Sequence, residues 1–215
     1  MGVLVDHLPR ILHGFGVTLN LLVFSAAIAL VLGVLLAAMR VSPVAVMRAV
    51  GTSYVNVFRN TPLLVLFLIT TQGVPVVISG LSYFTLAVAA LSLYTAAFVC
   101  EAVRSGVNAV HVGQAEAARA LGMTFGQTLR HVVLPQAVRS VIPPLASILI
   151  ALTKNTAIAE AFGITEASFQ LDSLVRDEPQ ALLPIFVGIS AGYVIIVFAI
   201  SAAAQLLERR LVVLR

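Results

Sequence analysis

Apolar and polar positions alternate along the chain in long blocks, not residue by residue. A first apolar block covers residues 17–39 and is closed by Arg40 and Ser42-Pro43. A polar-edged interval follows, with Arg48, Tyr54, Asn56, Arg59 and Asn60. The second block covers about residues 61–78, with Pro62 near its start and Gly73 and Pro75 near its end; Gly80 then marks a short turn. The third runs over about residues 82–103 and carries Glu101 at its end. The longest polar interval, residues 104–139, precedes a fourth block that starts near Val141, contains Pro143-Pro144 and is interrupted by Lys154-Asn155-Thr156. Residues 164–180 are polar and mostly acidic, and the last block, about 181–207, is closed by Glu208-Arg209-Arg210. A block of roughly 20 apolar residues is long enough to cross a bilayer as a helix. The pattern predicts five such crossings.

Composition makes lipid the solvent. Of 215 residues, 60% are apolar and only 10% charged, with mean hydropathy +1.06; soluble chains carry about a quarter charged residues. Unbroken apolar runs satisfy their backbone in lipid only as helices, whereas a membrane barrel would show short alternating strands. The expected fold class is all-α and polytopic, in a single transmembrane domain over residues 1–215.

The net charge of +4 does not indicate nucleic acid, because no Lys/Arg block stands apart from the apolar runs. The cations sit at block ends, where they set orientation. With the N-terminus outside, Arg40, Arg48, Arg59, Arg104, Arg119, Arg130, Arg139, Arg209, Arg210 and Arg215 fall on the cytoplasmic side, and only Arg10, Lys154 and Arg176 on the other. The positive-inside rule therefore predicts N-out, C-in. The first apolar block is longer than a signal-peptide core and is followed by more spans, so it reads as a crossing. Cys100 is the only cysteine, which excludes an intrachain disulfide; a packed thiol is expected.

The 104–139 interval then becomes the main cytoplasmic surface. Residues 115–121 form helix readily, and Gly122 and Gly126 can end a helix or let backbones approach. Thr124 can cap a second helix running towards Val133, which Pro135 is expected to stop. A small Ala-rich helix between two spans suits insertion into a groove of another protein.

Within this interval Glu116-Ala117-Ala118, then Gly122 after three residues, then Val132 and Leu134-Pro135, resembles the EAA loop of ATP-binding-cassette importer permeases, with Val132 in place of the usual Ile. Phe58-Arg59-Asn60-Thr61-Pro62-Leu63-Leu64 is similar to a segment of the polar amino-acid uptake branch, with Asn60 replacing Gly. Leu152-Thr153-Lys154-Asn155-Thr156 and Gly163-Ile164-Thr165-Glu166 resemble two further stretches of that branch, with Asn155 replacing the common Asp. The resemblance covers about residues 15–210. It implies the importer-type permease fold and a coupling loop (Glu116, Ala117, Ala118, Gly122, Leu134, Pro135) docked on an ATPase subunit. It also implies a second permease, identical or homologous, an extracytoplasmic solute-binding protein facing about residues 160–180, and a place in the bacterial cytoplasmic membrane. A permease for another small solute, or a self-sufficient carrier or channel, is the alternative; a coupled carrier more typically has more spans, internal repeats and buried carboxylates.

The chain contains no Gly-x-x-x-x-Gly-Lys-(Ser/Thr), and Lys154 is its one lysine, so ATP and magnesium belong to a partner and no cofactor is expected here. His7, His13, His111 and His131 lack zinc-hydrolase spacing. No enzymatic activity and no metal are expected. Ionisable groups in or beside spans are functional candidates by default. Glu101 with Arg104 reads as an interfacial ion pair or as a gate contact. Lys154, Asn155 and Thr156 break the fourth block, Glu160 lies one turn beyond, and together they could meet an amino acid's carboxylate and ammonium groups; alternatively Lys154 reaches the outer interface and Glu160 sits in water. Arg59 reads as an interfacial anchor beside the pathway.

Overall fold

The computed structural model describes residues 2–211, so Arg215, counted above for orientation, lies outside the described residues. After one helical turn, Gly2–Asp6, the chain forms α1 (Leu8–Val41), α2 (Ala45–Asn60), α3 (Leu63–Val77) and α4 (Tyr83–Asn108). Then come α5 (Val112–Ala120), α6 (Phe125–Phe162), α7 (Ala167–Asp177) and α8 (Leu182–Leu211). Four of these, α1, α4, α6 and α8, are long and apolar enough to cross a membrane. The bent pair α2 and α3, which meet at 101°, passes the same length and hydropathy test only when taken together, which gives four or five crossings.

Two boundaries differ from the sequence expectation. Helix α1 starts at Leu8, well before the apolar block, because Arg10 does not end the helix. Its guanidinium donates to Gln170 at 2.7 Å and pairs with Asp177 at 2.9 Å, both on α7. The 48–60 interval, expected only as a polar edge, is helical. It buries Gly51 and Val55 against α1 and α4, while Arg48, Ser53 and Asn60 stay exposed. The bend that follows falls at Thr61-Pro62, where proline disfavours helix in the preceding residue; Thr61 is extended (φ −90°, ψ 127°).

Pro135 does not stop a helix. The chain continues from Phe125 through a π-helical turn, Leu129–Val133, into Leu134–Asn155. The same arrangement recurs in α3, where the π turn Ile69–Gly73 precedes Val74-Pro75. In both places a proline lies two residues beyond the π turn. Its ring would clash with the carbonyl four residues back in a regular helix, and widening that turn relieves the clash. Past Asn155 the winding tightens to a 3-10 helix, Thr156–Phe162, and Gly163 (φ +77°) ends it.

Helix α4 is the centre of the bundle. It carries Ala87, Ala90, Leu91, Ala96, Ala97 and Cys100 fully buried and packs on α1, α2 and α6. Small residues allow close packing where no hydrophobic drive separates helix from lipid. At Gly106 the approach is closest, since a Cβ there would meet Val141 Cγ2 of α6 at 2.1 Å. The ends of α1 and α8 on one side of the bundle are tied by α7. Glu166 is fully buried, caps α7 by accepting from Phe169 N–H at 2.9 Å, and accepts from Tyr193 Oη at 2.6 Å and Thr18 Oγ1 at 3.3 Å. The sequence predicts a solvated acidic interval over 164–180; this carboxylate instead holds α1, α7 and α8 together.

Candidate functional site

The polar interval folds into a protruding helix–turn–helix. His111 caps α5 through its Nδ1, which accepts from Gly113 N–H at 3.1 Å. Helix α5 ends with Gly122 N–H donating to Arg119 O at 2.9 Å and Met123 N–H to Ala118 O at 3.2 Å. This closure requires a left-handed residue, and Gly122 supplies it at φ +83°. Thr124 and Gln127 cap the start of α6 reciprocally. The turn is capped at both ends and carries bulky apolar side chains into the open: Leu121 is 84% exposed and Phe125 78%. Glu116, Ala117 and Pro135 are less than fully covered, whereas Ala118 is buried and packs inside the turn. Sequence reasoning named the glycine and the Ala-rich stretch but missed Leu121 and Phe125. Their signal was a large apolar residue on each side of Gly122.

The transport candidates do not converge on one spot. Asn155 lines a cavity of about 330 Å³ between α4 and α6, with Tyr94, Thr95 and Phe98 on one wall and Ser147 and Ala151 on the other. Lys154 lies on the exposed face of α6. Thr156 is fully buried and satisfied within its own helix, donating to Thr153 O at 2.7 Å. Glu160 lies in a separate cleft of about 310 Å³ with Phe169, Asp172 and Arg176. One helical turn beyond the cavity's Phe98, Glu101 binds Arg40 of α1 and Arg104 at 3.1 Å, and stands 3.8 Å from Arg59 of α2. Arg59 also lies over the Phe98 ring, 5.9 Å from its centroid. The single carboxylate thus gathers three guanidinium groups from three helices beside the cavity, more than the Glu101–Arg104 pair read from spacing.

Sequence reasoning missed Tyr94, Thr95, Phe98 and Ser147. Ser147 had a usable signal, because Ser140, Ser147 and Lys154 are spaced seven apart and share one face of α6. Gly188-Ile189-Ser190-Ala191-Gly192 has the spacing of a nucleophile elbow but lies inside α8, with no strand-to-helix turn to expose the serine. Among the described residues, no group of His, Cys, Asp or Glu could hold a metal.

Membrane-spanning helices with a cavity between two of them that carries a few polar groups on a largely apolar lining, joined to a capped apolar turn, fit a membrane transport subunit. The family description "Binding-protein-dependent transport system inner membrane component" matches residues 29–213, and the chain belongs to that family. It is 41% identical over 217 residues to the glutamate transport system permease protein GluC of Corynebacterium glutamicum, covering 95% of each. To the arginine transport system permease protein ArtQ of Bacillus subtilis it is 34% identical over 210 residues, covering 96% of this chain and 94% of that one. A crystal structure of an amino acid ABC transporter with histidines superposes with TM-score 0.87 at 32% identity, over 96% of both chains. The chain is the permease subunit of an ABC amino-acid importer, multi-pass in a bacterial membrane.

Proposed function

We propose that this permease is oriented N-out and C-in, as a single transmembrane domain paired with a second permease, and binds its amino-acid cargo in the cavity between α4 and α6. An ATPase subunit docks on Leu121, Gly122 and Phe125 together with Glu116 and Ala117, with Leu134 and Pro135 in the joint behind them. ATP binding and hydrolysis occur on that partner. An extracytoplasmic binding protein delivers the cargo at the α7 end. The observation that carries this reading is that the docking turn and the cavity belong to one helix: α6 starts at Phe125 and reaches the cavity at Ser147, Ala151 and Asn155. Movement of the turn is therefore movement of a cavity wall. The ring of arginines on Glu101 forms the inner boundary of the cavity.

The breadth of the cargo class is supported by similarity to glutamate and arginine permeases alike. Those two cargoes differ in side-chain charge and share the α-ammonium and α-carboxylate groups. Neutral hydrogen-bonding groups such as Asn155, Ser147, Thr95 and Tyr94 suit the shared part. Lys154 and Glu160 stand outside the cavity, on its outer side.

The test is purification of the tagged chain from native membranes with mass spectrometry of what accompanies it. A P-loop ATPase is expected with the wild type and is lost in Leu121→Asp/Phe125→Asp, since both replaced side chains are exposed and the fold does not depend on them. Recovery of equal ATPase with that double variant would overturn the docking assignment. Orientation is tested in a Cys100→Ala background: Asp177→Cys should react with a membrane-impermeant maleimide in intact cells, and Arg119→Cys only after lysis.

A further inference from the structure

A groove of about 280 Å³ runs between α1, α6 and α8, and every side chain lining it is Leu, Ile or Ala. Its walls include Leu30, Ile142, Leu145, Leu149, Ile200 and Leu207. It lies on the side of α6 away from the Ser140–Ser147–Lys154 stripe: Ile142 is two residues from Ser140, which at about 100° per residue places it on the opposite face. The rim continues into exposed apolar surface at Val138 (51%) and Leu206 (59%). The bilayer, not the transport pathway, therefore borders it.

Its mouth is charged. Helices α6 and α8 cross in opposite directions, so Arg139, one turn before Ile142, and Arg210, one turn after Leu207, come to the same end of the groove. Arg209 is adjacent, and Glu208 is the one acidic residue there. Among the described residues, neither Arg139 nor Arg210 has an ion-pair partner. Two unpaired guanidinium groups above an apolar slot match the phosphate and acyl chain of one lipid, and basic pockets between spans on the cytoplasmic side suit anionic head groups.

We propose that this groove is a binding site for an anionic phospholipid of the inner leaflet, with its phosphate on Arg139 and Arg210 and an acyl chain along Ile142–Leu149. The site rests on the orientation proposed above, which the maleimide labelling tests separately. A lipid there would brace α6, the helix linking docking turn to cavity, against α8.

The chain contains no tryptophan, so one can be placed as a reporter. Leu207→Trp puts an indole in the groove, and Phe186→Trp on the exposed outer half of α8 samples bulk lipid. The assembled transporter is reconstituted in vesicles of phosphatidylcholine and phosphatidylglycerol with one or the other brominated. Each reporter's signal is taken as the difference from the same assembly lacking it. Brominated phosphatidylglycerol should quench the groove reporter with about thirtyfold higher relative association than brominated phosphatidylcholine, the scale set by two arginines at an anionic surface. For the bulk-lipid reporter the ratio should be near one. Arg139→Gln/Arg210→Gln should bring the groove ratio to about one while both lipids still quench. Equal quenching in the arginine-intact protein, a preference that survives the double substitution, or no quenching by either lipid because a protein covers the groove, would each overturn the proposal.

Discussion

Helices α6 and α8 are both poorly buried within this chain, and their exposed faces are opposites. On α8 the open positions are Leu183, Phe186, Val187, Ile195 and Phe198, with Leu183, Ile195 and Phe198 near 70% exposed. On α6, beyond the exposed Val138, they are Ser140, Pro143, Ser147, Ala151 and Lys154. Large apolar side chains are at home in lipid, while hydroxyls, a lysine and a bare backbone at proline are tolerated at membrane depth only against protein or water. Low burial therefore means two different things on neighbouring helices. On α8 it marks the boundary with the bilayer. On α6, in the assembly proposed above, it marks the wall that a second permease and the cargo complete.

The sharpest way to break this contrast is to put the same charge on both faces. Phe198→Arg should destabilise the inserted protein by about 3 kcal/mol, the cost of an arginine near a helix centre in lipid, read as lower membrane yield and a lower melting temperature in detergent. Ser147→Arg should leave yield and melting close to wild type. If both variants insert equally well, the α8 face is not lipid-facing. Bulk sharpens the other half: Ser147→Trp should cut transport on the order of a hundredfold by displacing groups that position cargo, whereas Phe198→Trp should leave uptake nearly unchanged.

Smaller effects come from the groups that hold α6 and its neighbours in place. Glu101→Gln leaves three guanidinium groups without their carboxylate and should cost about 2 kcal/mol, the scale of a lost charge-assisted bond, with Arg40, Arg59 and Arg104 repelling one another; thermal melting in detergent reads it. Gly106→Ala must push Val141 away and should cost about 1–3 kcal/mol as overpacking; Val141→Ala in the same chain should restore much of it. Failure of that rescue would show that α4 and α6 do not meet as closely as Gly106 implies. Tyr193→Phe removes one donor to the buried Glu166 and should cost about 1 kcal/mol, visible as faster proteolysis at α7.

Much of this was readable from residue order. The apolar blocks gave the four long spanning helices α1, α4, α6 and α8, and the Glu116–Gly122 spacing gave the turn, because both depend on local periodicity and on one residue that must be left-handed. The passage of helix through Pro135 was not readable, since proline in isolation is a helix stop and only the widened turn beneath it shows the accommodation. Nor was the burial of Glu166 readable. An acidic stretch looks solvated until Tyr193 and Thr18, each distant in sequence, are brought to one carboxylate.

The sequence by itself determined that the chain is helical, lies in a membrane, and presents a helix and a glycine turn in the interval after α4. Those properties are sums over neighbouring residues: hydropathy, helix period and turn chemistry. Only the tertiary structure decided which polar residues share a cavity. Asn155 joins Tyr94 and Thr95 there, Thr156 beside it is sealed in the core, and Glu101 collects arginines from α1, α2 and α4. A single helical step of about 100° moves a side chain from the cavity to the core. That rotation is set by packing on α4, where Gly106 lets α6 approach, and no local pattern in α6 records it.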